Sequence, residues 1–242
     1  MDRLDEGWKS EALVRTFIDG IRGGIPLGAV QSEVAGLIVA ATVGEPESFL
    51  DLGCGDGVLS EALLALFPKA EATLVDFSAP MLAEARKRFS SKTPAPKIVE
   101  ADFSAKDWAE SVKGPFDLVI SGYAIHHQSD EIKRRIYAEI FALLRPGGLF
   151  INIDHVKARS EWALKTFDEY LSRCLKEFNA DKGTPELYEK MTNLTDDRKK
   201  KEADVIATVE AQCDWLREIG FTDVDCHFKI FELALFAGLR PA

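Results

Sequence analysis

The spacing of hydrophobic positions changes several times along this chain. Apolar residues recur at helical spacing from about 8 to 22 and again from about 28 to 42, with a break at Gly23-Gly24-Ile25-Pro26. From residue 48 to residue 153, short apolar runs alternate with amphipathic stretches. The pattern predicts two N-terminal helices followed by an alternating series of strands and helices.

The alternating region predicts five strands. They lie at 48–52, 72–76, 97–101, 116–121 and 149–153, with helices at 57–67, 79–89, 104–112 and 130–144. Runs such as Phe116-Asp117-Leu118-Val119-Ile120 are apolar enough for helices to cover both faces, as in a parallel sheet. We therefore expect an α/β fold with a doubly wound, mostly parallel sheet.

The alternation stops after residue 153. Helical spacing at 160–179, 185–191 and 200–219 indicates a mostly helical insert over 156–217. Two closing apolar runs, 224–229 and 232–236, have no room for a crossover between them, so they predict an antiparallel hairpin. We interpret 1–242 as a single domain, in which an N-terminal helical cap (1–44) and the insert form a lid.

Composition and charge narrow the class of partner. The net charge of −10 argues against nucleic acid, and the only basic run, Arg198-Lys199-Lys200-Lys201, is flanked by acids and is typical of a solvated helix face. No apolar run approaches the roughly 20 residues that span a bilayer, and the first residues lack the form of a signal peptide. The four cysteines are scattered, so we expect reduced thiols in a cytoplasmic protein without membrane contact.

The segment Phe49–Gly57, with the sequence FLDLGCGDG, carries the strongest sign of a ligand site. An apolar strand ends in an acid, three glycines follow at every second position, and helical spacing begins at Val58. Glycine permits positive φ and close approach of the backbone to a ligand, and the helix N-terminus adds unpaired N–H groups. Ligands of open α/β sheets bind at the carboxyl ends of the strands, where this loop is predicted to lie.

The other strand ends suit a ligand that contains adenosine. Asp76 ends the second predicted strand about 20 residues beyond the loop, where an acid accepts hydrogen bonds from ribose hydroxyls. Asp102 and Phe103 follow the third strand and could receive the exocyclic amine of a base and cover its ring. Ser121 and Gly122 end the fourth strand and are small enough for close backbone approach.

The loop also distinguishes among such ligands. Its spacing is G-x-G-x-G, whereas a dinucleotide loop is G-x-G-x-x-G. Asp51 beside the loop would repel phosphates and attract an ammonium or sulfonium group. Together with Leu74–Ser78, Phe116–Ser121 and the sequence LRPGGL at 144–149, this loop resembles the class I S-adenosylmethionine-dependent methyltransferases over residues 48–154.

This resemblance implies a seven-stranded sheet with an antiparallel last strand, and S-adenosyl-L-methionine as cofactor. It also implies that nine residues bind the cofactor: Asp51, Gly53, Cys54, Gly55, Asp76, Phe77, Met81, Asp102 and Phe103. Cys54 would contribute only its backbone. Ser121 joins them through its place at the end of the fourth strand.

Candidates for the chemistry come directly after the fourth strand. His126 or His127 could take a proton from a nucleophile, with Tyr123 beside them, although loop hydrogen bonding and helix capping would also account for the two histidines. Asp154 and His155 form a second polar cluster at the same rim. No spacing matches a metal motif, so no metal is expected.

The residues and the resemblance together predict methyl transfer to a small, partly apolar acceptor by in-line displacement. Aromatic and aliphatic residues on the added helices would line the acceptor pocket or pack as core: Trp8, Phe17, Ile21, Trp162, Phe167, Tyr170 and Phe178. Two alternatives stay open. The end of the chain, Trp215–Phe236, is broadly similar to a carboxy-S-adenosylmethionine synthase of tRNA modification, and a non-catalytic cofactor-binding module would need the same loop. The acceptor atom and a homodimer also stay open.

Overall fold

A computed structural model describes residues 5–188 and 205–242. The N-terminal segment is helical but irregular: a 3-10 turn at Glu6–Lys9, helix α1 at Glu11–Thr16, a π-helical turn at Phe17–Ile21 and a 3-10 turn at Arg22–Gly24. The continuous helix predicted at 8–22 is therefore broken, because the stretch contains Gly20 and runs into two further glycines. Helix α2, Gly28–Thr42, confirms the second predicted helix.

The predicted alternation of strands and helices is confirmed. It comprises β1 Ser48–Leu52, α3 Val58–Leu66, β2 Glu71–Asp76, α4 Ala79–Arg88, β3 Lys97–Glu100, β4 Phe116–Gly122, α5 Asp130–Leu143 and β5 Leu144–His155. The helix predicted at 104–112 is only a 3-10 turn, Trp108–Ser111. Strand β5 is longer than predicted, because Gly147 and Gly148 exchange backbone hydrogen bonds with Arg240 and so extend the strand pairing.

The insert and the closing hairpin complete the chain. Helix α6 spans Glu161–Asp181, residues 185–188 are helical, and helix α7 spans Val209–Ile219. Of the helix predicted at 200–219, residues 200–204 lie outside the described residues, and the described helix begins at Val209, where Thr208 caps it by accepting a hydrogen bond from the N–H of Ala211. The basic run at 198–201 lies outside the described residues. Strands β6, Thr222–Ile230, and β7, Leu233–Leu239, form the predicted hairpin.

The seven strands form one sheet in the order β3-β2-β1-β4-β5-β7-β6. Strand β7 is antiparallel to both of its neighbours, and every other pairing is parallel, as the resemblance implies. The order of strands reverses between β1 and β4, and such a switch point opens a crevice at the carboxyl ends of the strands. The glycine loop therefore lies at the edge where a ligand is expected.

Helices cover both faces of the sheet and form two apolar cores. Neighbouring residues of β1 face opposite ways, so Phe49 packs in the core beneath α2 and α3, and Leu50 packs in the core beneath α5 and α7. Both side chains are fully buried. Burial of one such side chain contributes about 1.5–3 kcal/mol, so this packing holds the strand ends in place.

Within the described residues, no single helix is long and apolar enough to cross a membrane. Glu11–Gly24 and Gly28–Thr42 meet that criterion only as a pair, bent by 78°.

Candidate active site

A cavity of about 400 Å³ opens where β1, β2 and β4 end; we call it the strand-end cavity. Its lining includes most of the residues predicted to bind the cofactor: Asp51, Gly53, Cys54, Gly55, Asp76, Phe77, Met81 and Phe103. Residues far apart in the sequence therefore meet at one edge of the sheet, because parallel strands bring their carboxyl ends together.

The three loop glycines all have positive φ, at 73° for Gly53, 54° for Gly55 and 80° for Gly57. A Cβ on Gly53 would lie 2.3 Å from the Cβ of Ala124, and one on Gly57 would lie 2.6 Å from the ring of Phe89. A Cβ on Gly55 would come no closer than 3.7 Å to any atom, the sulfur of Met81. The outer two glycines are thus required by packing, and the middle one leaves backbone open to the cavity.

Two buried carboxylates of the cavity have different hydrogen-bonding states. Asp51 Oδ2 accepts a hydrogen bond from Ser60 Oγ at 2.6 Å, and Oδ1 has no hydrogen-bond partner in the described structure. Asp76 accepts from the N–H groups of Gly55 and Ser78, both at 2.8 Å. Burial raises the pKa of Asp51 to about 7 and that of Asp76 to about 6. An unpaired buried oxygen fits a ligand that brings a positive charge or a donor.

The thiol of Cys54 does not have the properties of a nucleophile. It is buried, and its burial, together with the nearby carboxylate of Asp76, raises the pKa of the thiol well above its usual value. The thiolate is the reactive form, so its formation is disfavoured here. This supports the interpretation that Cys54 acts only through its backbone.

The geometry changes the interpretation of two predicted side chains, which are not among the residues that line the cavity. Ser121 is fully buried, and its hydroxyl donates to the carbonyl of Leu52 at 2.7 Å, which ties β4 to β1. Asp102 accepts hydrogen bonds from the N–H and the hydroxyl of Ser104 and so stabilises a turn. Gly122, next to Ser121, lines the cavity instead. Spacing alone does not fix side-chain direction at a strand end.

The N-terminal segment and α2 supply two cavity residues that the sequence pattern did not single out, Asp5 and Gln31. Arg22, a sequence candidate to meet an anionic group of the substrate, also lines the strand-end cavity but forms an ion pair with Asp56. Asp5 is buried and accepts a hydrogen bond from the side chain of Gln128 at 3.0 Å. Only the apolar face carrying Trp8 and Phe17 indicated that this segment would pack at the site.

A second cavity, of about 640 Å³, lies between the N-terminal segment, the ends of β4 and β5, and α6; we call it the helix-side cavity. It shares five lining residues with the strand-end cavity: Trp8, Phe17, Ile25, Tyr123 and His127. The apolar residues that line only this cavity include Ile21, Leu164, Phe167, Leu171, Leu175 and Ile206. The strand-end cavity and the helix-side cavity are therefore adjacent, and these five shared side chains lie between them.

The predicted acceptor pocket is only partly right. Ile21 and Phe167 line the helix-side cavity, together with Trp8 and Phe17. Trp162 does not line it and is 70% exposed. Tyr170 and Phe178 also lie outside the lining, and the Phe178 ring packs against Gly23. The cavity-facing stripe of α6 contains Leu164, Phe167 and Leu171 at helical spacing, and Phe178 continues this stripe beyond the cavity, where it packs against Gly23 and Gly24.

The two adjacent histidines make different contacts. His126 Nδ1 lies 2.5 Å from Asp154 Oδ1, and its backbone N–H donates to Asp154 Oδ2 at 2.9 Å. His127 Nε2 accepts a hydrogen bond from the indole N–H of Trp8 at 3.4 Å. His126 lines the helix-side cavity, whereas His127 lines both. The sequence could not tell them apart, since their partners are 28 and 119 residues away.

Asp154 remains ionised beside His126. Burial by itself would raise the pKa of this carboxyl, but His126, together with His155 and His127, outweighs burial and holds the pKa below its usual range. An ionised carboxylate at Nδ1 fixes the imidazole tautomer with the proton on Nδ1, which leaves Nε2 as a proton acceptor. This is the arrangement that a general base requires.

Tyr123 lies at the junction of the two cavities in a backbone conformation that is unusual for a residue with a side chain. Its φ is 54°, and its hydroxyl donates to Gln31 Oε1 at 2.7 Å. Burial raises the pKa of the phenol, so it remains protonated. Local strain of this kind clusters at functional sites, and here it directs the ring between the cavities.

The described residues contain no group of three or more His, Cys, Asp or Glu side chains arranged to hold a metal ion. The polar rim at His126, Asp154 and His155 is joined by a hydrogen bond and ring contacts.

Comparison with known proteins finds a methyltransferase domain in the part of the chain that forms the glycine loop and strands β1 to β4. A family model described as a methyltransferase domain matches residues 49–148. An uncharacterized methyltransferase of Mycobacterium tuberculosis is 38% identical over 146 residues, which is 60% of this chain and 59% of that protein. A carboxy-S-adenosyl-L-methionine synthase of Chromohalobacter salexigens is 25% identical over 250 residues, covering 100% of this chain and 86% of that protein.

The fold is similar to that of human N-acetylserotonin methyltransferase in complex with S-adenosylmethionine. The TM-score is 0.66 at 15% identity, over 100% of this chain and 59% of that one. The chain thus spans about three fifths of the length of this structure and of the mycobacterial relative.

Proposed function

Since residues 49–148 match a methyltransferase domain, we propose that the chain is a class I S-adenosylmethionine-dependent methyltransferase and that it transfers a methyl group to a hydroxyl of a small, partly apolar molecule held in the helix-side cavity. The observation that carries this proposal is the junction of the two cavities, with the His126–Asp154 pair on the acceptor side. When bound, S-adenosylmethionine supplies an activated methyl group on a sulfonium.

The strand-end cavity has the donors and acceptors that this cofactor needs. Asp51 offers an unpaired oxygen to a positive charge or an N–H, and Asp76 offers carboxylate oxygens at the end of β2 for ribose hydroxyls. Phe77, Met81 and Phe103 provide apolar surface for a base. Because Gly55 has no side chain, the ligand can come close to the backbone at this position.

The helix-side cavity supports a hydroxyl acceptor. Its wall is largely aliphatic and aromatic, which suits an acceptor with an apolar body. His126 Nε2 would accept the hydroxyl proton, and Asp154 would stabilise the resulting imidazolium. A neutral hydroxyl benefits from such a base, because removal of its proton raises its nucleophilicity.

The test uses a panel of small aromatic compounds that differ only in carrying a hydroxyl, an amine or a thiol. We expect S-adenosylhomocysteine to form with the hydroxyl compounds, and His126→Ala to lower kcat by about 10²–10⁴-fold. Affinity for S-adenosylmethionine, measured by calorimetry, should not change, since His126 does not line the strand-end cavity. His227→Ala, an exposed histidine on β6, is the matched control. Turnover only of amines or thiols, or full activity of His126→Ala, would contradict the proposal.

A carboxy-S-adenosylmethionine synthase activity is the second candidate, favoured only by the full-length similarity at 25% identity. A carboxylate on the sulfonium would need a cationic partner at the junction. Among the described residues, the five that line both cavities include no lysine or arginine. Mass spectrometry of the nucleotide that co-purifies with the protein separates the two activities.

A further inference from the structure

A chain of buried polar side chains runs through an otherwise apolar core and ends at Asp154. It begins at Gln212 on α7, continues through Tyr137 on α5, and reaches Asn152 on β5. We propose that this polar chain positions the carboxylate of Asp154, and through it the imidazole of His126, so that Nε2 faces the acceptor. The inference rests on the proposed role of His126 as a base.

The hydrogen bonds follow one another without a gap. Tyr137 donates its hydroxyl to Gln212 Oε1 at 2.6 Å, and Asn152 Nδ2 lies 3.4 Å from both Tyr137 Oη and Asp154 Oδ2. Gln212 in turn donates to the carbonyl of Ala207 at 3.3 Å. Tyr137 and Asn152 are fully buried, and Gln212 is 1% exposed. Three secondary-structure elements therefore define the position of one carboxylate.

Each oxygen of Asp154 receives two donors. Oδ1 is contacted by His126 Nδ1 and by the backbone N–H of His155 at 3.0 Å. Oδ2 is contacted by the backbone N–H of His126 and by Asn152 Nδ2. Among the described residues, Asn152 supplies the only side-chain donor to Asp154 that comes from the core rather than from the rim of the cavity. Without it, Oδ2 would keep a single donor, and the plane of the carboxylate would be less well defined.

Packing alone does not account for an amide at position 152. The neighbours on the other face of β5, Ile151 and Ile153, pack in an apolar core, and Phe150 packs on the same face as Asn152. Asn152 Oδ1 has no hydrogen-bond partner in the described structure. An unpaired buried acceptor is unfavourable, so an apolar residue of similar size would suit the core better. What the amide provides is its N–H group, directed at Asp154.

The same region joins the helical insert to the pair of catalytic candidates. Lys133, whose side chain is fully buried, donates to the carbonyl of Val205, and the N–H of Lys157 donates to the carbonyl of Ala207. Residues 205–207 therefore connect the insert to Gln212. Several charged and titratable groups surround Asp154. The three histidines His126, His127 and His155 lie at the rim of the cavity. Lys133, which is paired with Asp130, and the phenols of Tyr123 and Tyr137 lie on the other sides.

Nuclear magnetic resonance of the ligand-free full-length protein tests the proposal without an acceptor. Asn152→Leu removes the donor to Asp154, so the carboxylate should be held less well, and the Nδ1–H proton resonance of His126 should move upfield as its hydrogen bond to Asp154 weakens. Tyr137→Phe removes only the hydroxyl and should move the resonance in the same direction by less. Phe150→Leu, which perturbs packing against the Tyr137 ring, is the matched control and should leave the resonance unchanged.

Kinetics give the second measurement. In Asn152→Leu and Tyr137→Phe we expect kcat to fall about tenfold, with an unchanged KM for the acceptor and unchanged affinity for the cofactor. A His126 Nδ1–H resonance equal to that of the wild type in both folded variants would overturn the proposal, and Tyr137→Phe still decides it if Asn152→Leu does not fold. A changed resonance together with full activity of His126→Ala would instead overturn the proposed function, because the positioning would be present without a catalytic role.

Discussion

At the scale of single residues, Asp51 shows how a buried charge prepares a binding site. The side chain is 1% exposed, and burial raises its pKa to about 7, whereas Ser60 donates a hydrogen bond that opposes the rise. A carboxyl group with this pKa is largely protonated in mildly acidic solution and ionises near neutrality. A cationic ligand beside it favours the ionised form, so binding and deprotonation are coupled.

We therefore expect the affinity for S-adenosylmethionine to increase as the pH rises from about 5 to about 8, by up to about tenfold per pH unit below the pKa. Calorimetry in buffers of different ionisation enthalpy would detect the released proton. Asp51→Asn should flatten the pH dependence, and Ser60→Ala should move it to higher pH, because the hydrogen bond that lowers the pKa is lost. Equal affinity of the wild type at both ends of the range would contradict this role.

The raised pKa of Asp51 also makes the free energy of unfolding of the ligand-free protein depend on pH. The folded protein holds a proton on Asp51 more tightly than the unfolded chain, since the pKa is raised from 3.8 to about 7. The contribution of this group to the free energy of unfolding is therefore greatest below about pH 4 and is lost as the pH rises through about 7.

At the scale of elements, the loop between β1 and α3 uses its glycines for two purposes. Gly53 and Gly57 are fixed by contacts with Ala124 and Phe89, whereas Gly55 faces the cavity. All three share positive φ, so an alanine strains the backbone at any of them. The atoms around each glycine therefore show whether packing or ligand binding requires it: packing at Gly53 and Gly57, and ligand binding at Gly55.

Two alanine substitutions separate these purposes. Gly53→Ala should lower the free energy of unfolding by about 1–3 kcal/mol, because strain and collision add. Gly55→Ala should cost about 1 kcal/mol or less in stability, but it should weaken cofactor binding by about tenfold or more. Urea denaturation and calorimetry measure the two effects. A larger loss of stability in Gly55→Ala than in Gly53→Ala would contradict the assignment.

At the scale of the whole molecule, the N-terminal segment separates the two cavities. Trp8 lines both of them, donates its indole N–H to His127, and accepts a hydrogen bond at its carbonyl from Ser78 Oγ at 2.5 Å. Its ring also packs edge-on against Phe17, with centroids 5.0 Å apart. The first residues of the chain thus contribute to a site built mainly at the strand ends.

Trp8→Ala should therefore weaken the binding of cofactor and acceptor together. We expect the cofactor Kd and the acceptor KM each to rise about tenfold, because the variant loses apolar contacts on both sides. Trp162→Ala, which removes a tryptophan that is 70% exposed, is the matched control and should change neither constant. Equal effects of the two substitutions would show that Trp8 is not a wall of the site.

Much of the fold could be predicted because it depends on local patterns. The strands β1 and β2 and helix α2 are found within one residue of the predicted bounds, since runs of apolar residues and helical spacing specify buried strands and amphipathic helices. The cofactor side of the site could be predicted for the same reason: in a parallel sheet, a residue at the end of a strand lies at the ligand edge.

The acceptor side depends on contacts between distant residues. Nothing local distinguishes His126 from His127, and only packing assigns Asp154 to one and Trp8 to the other. Likewise Ser121 turns to Leu52, and Trp162 turns to solvent, because side-chain direction is decided by neighbours that local spacing does not identify. The sequence by itself determined most of the strands and the glycine loop, since both follow from local residue patterns, whereas the seven-stranded sheet was implied by the family resemblance. Only the tertiary structure decided which histidine pairs with Asp154 and which with Trp8, because that depends on where the ends of β4 and β5 and the N-terminal segment meet.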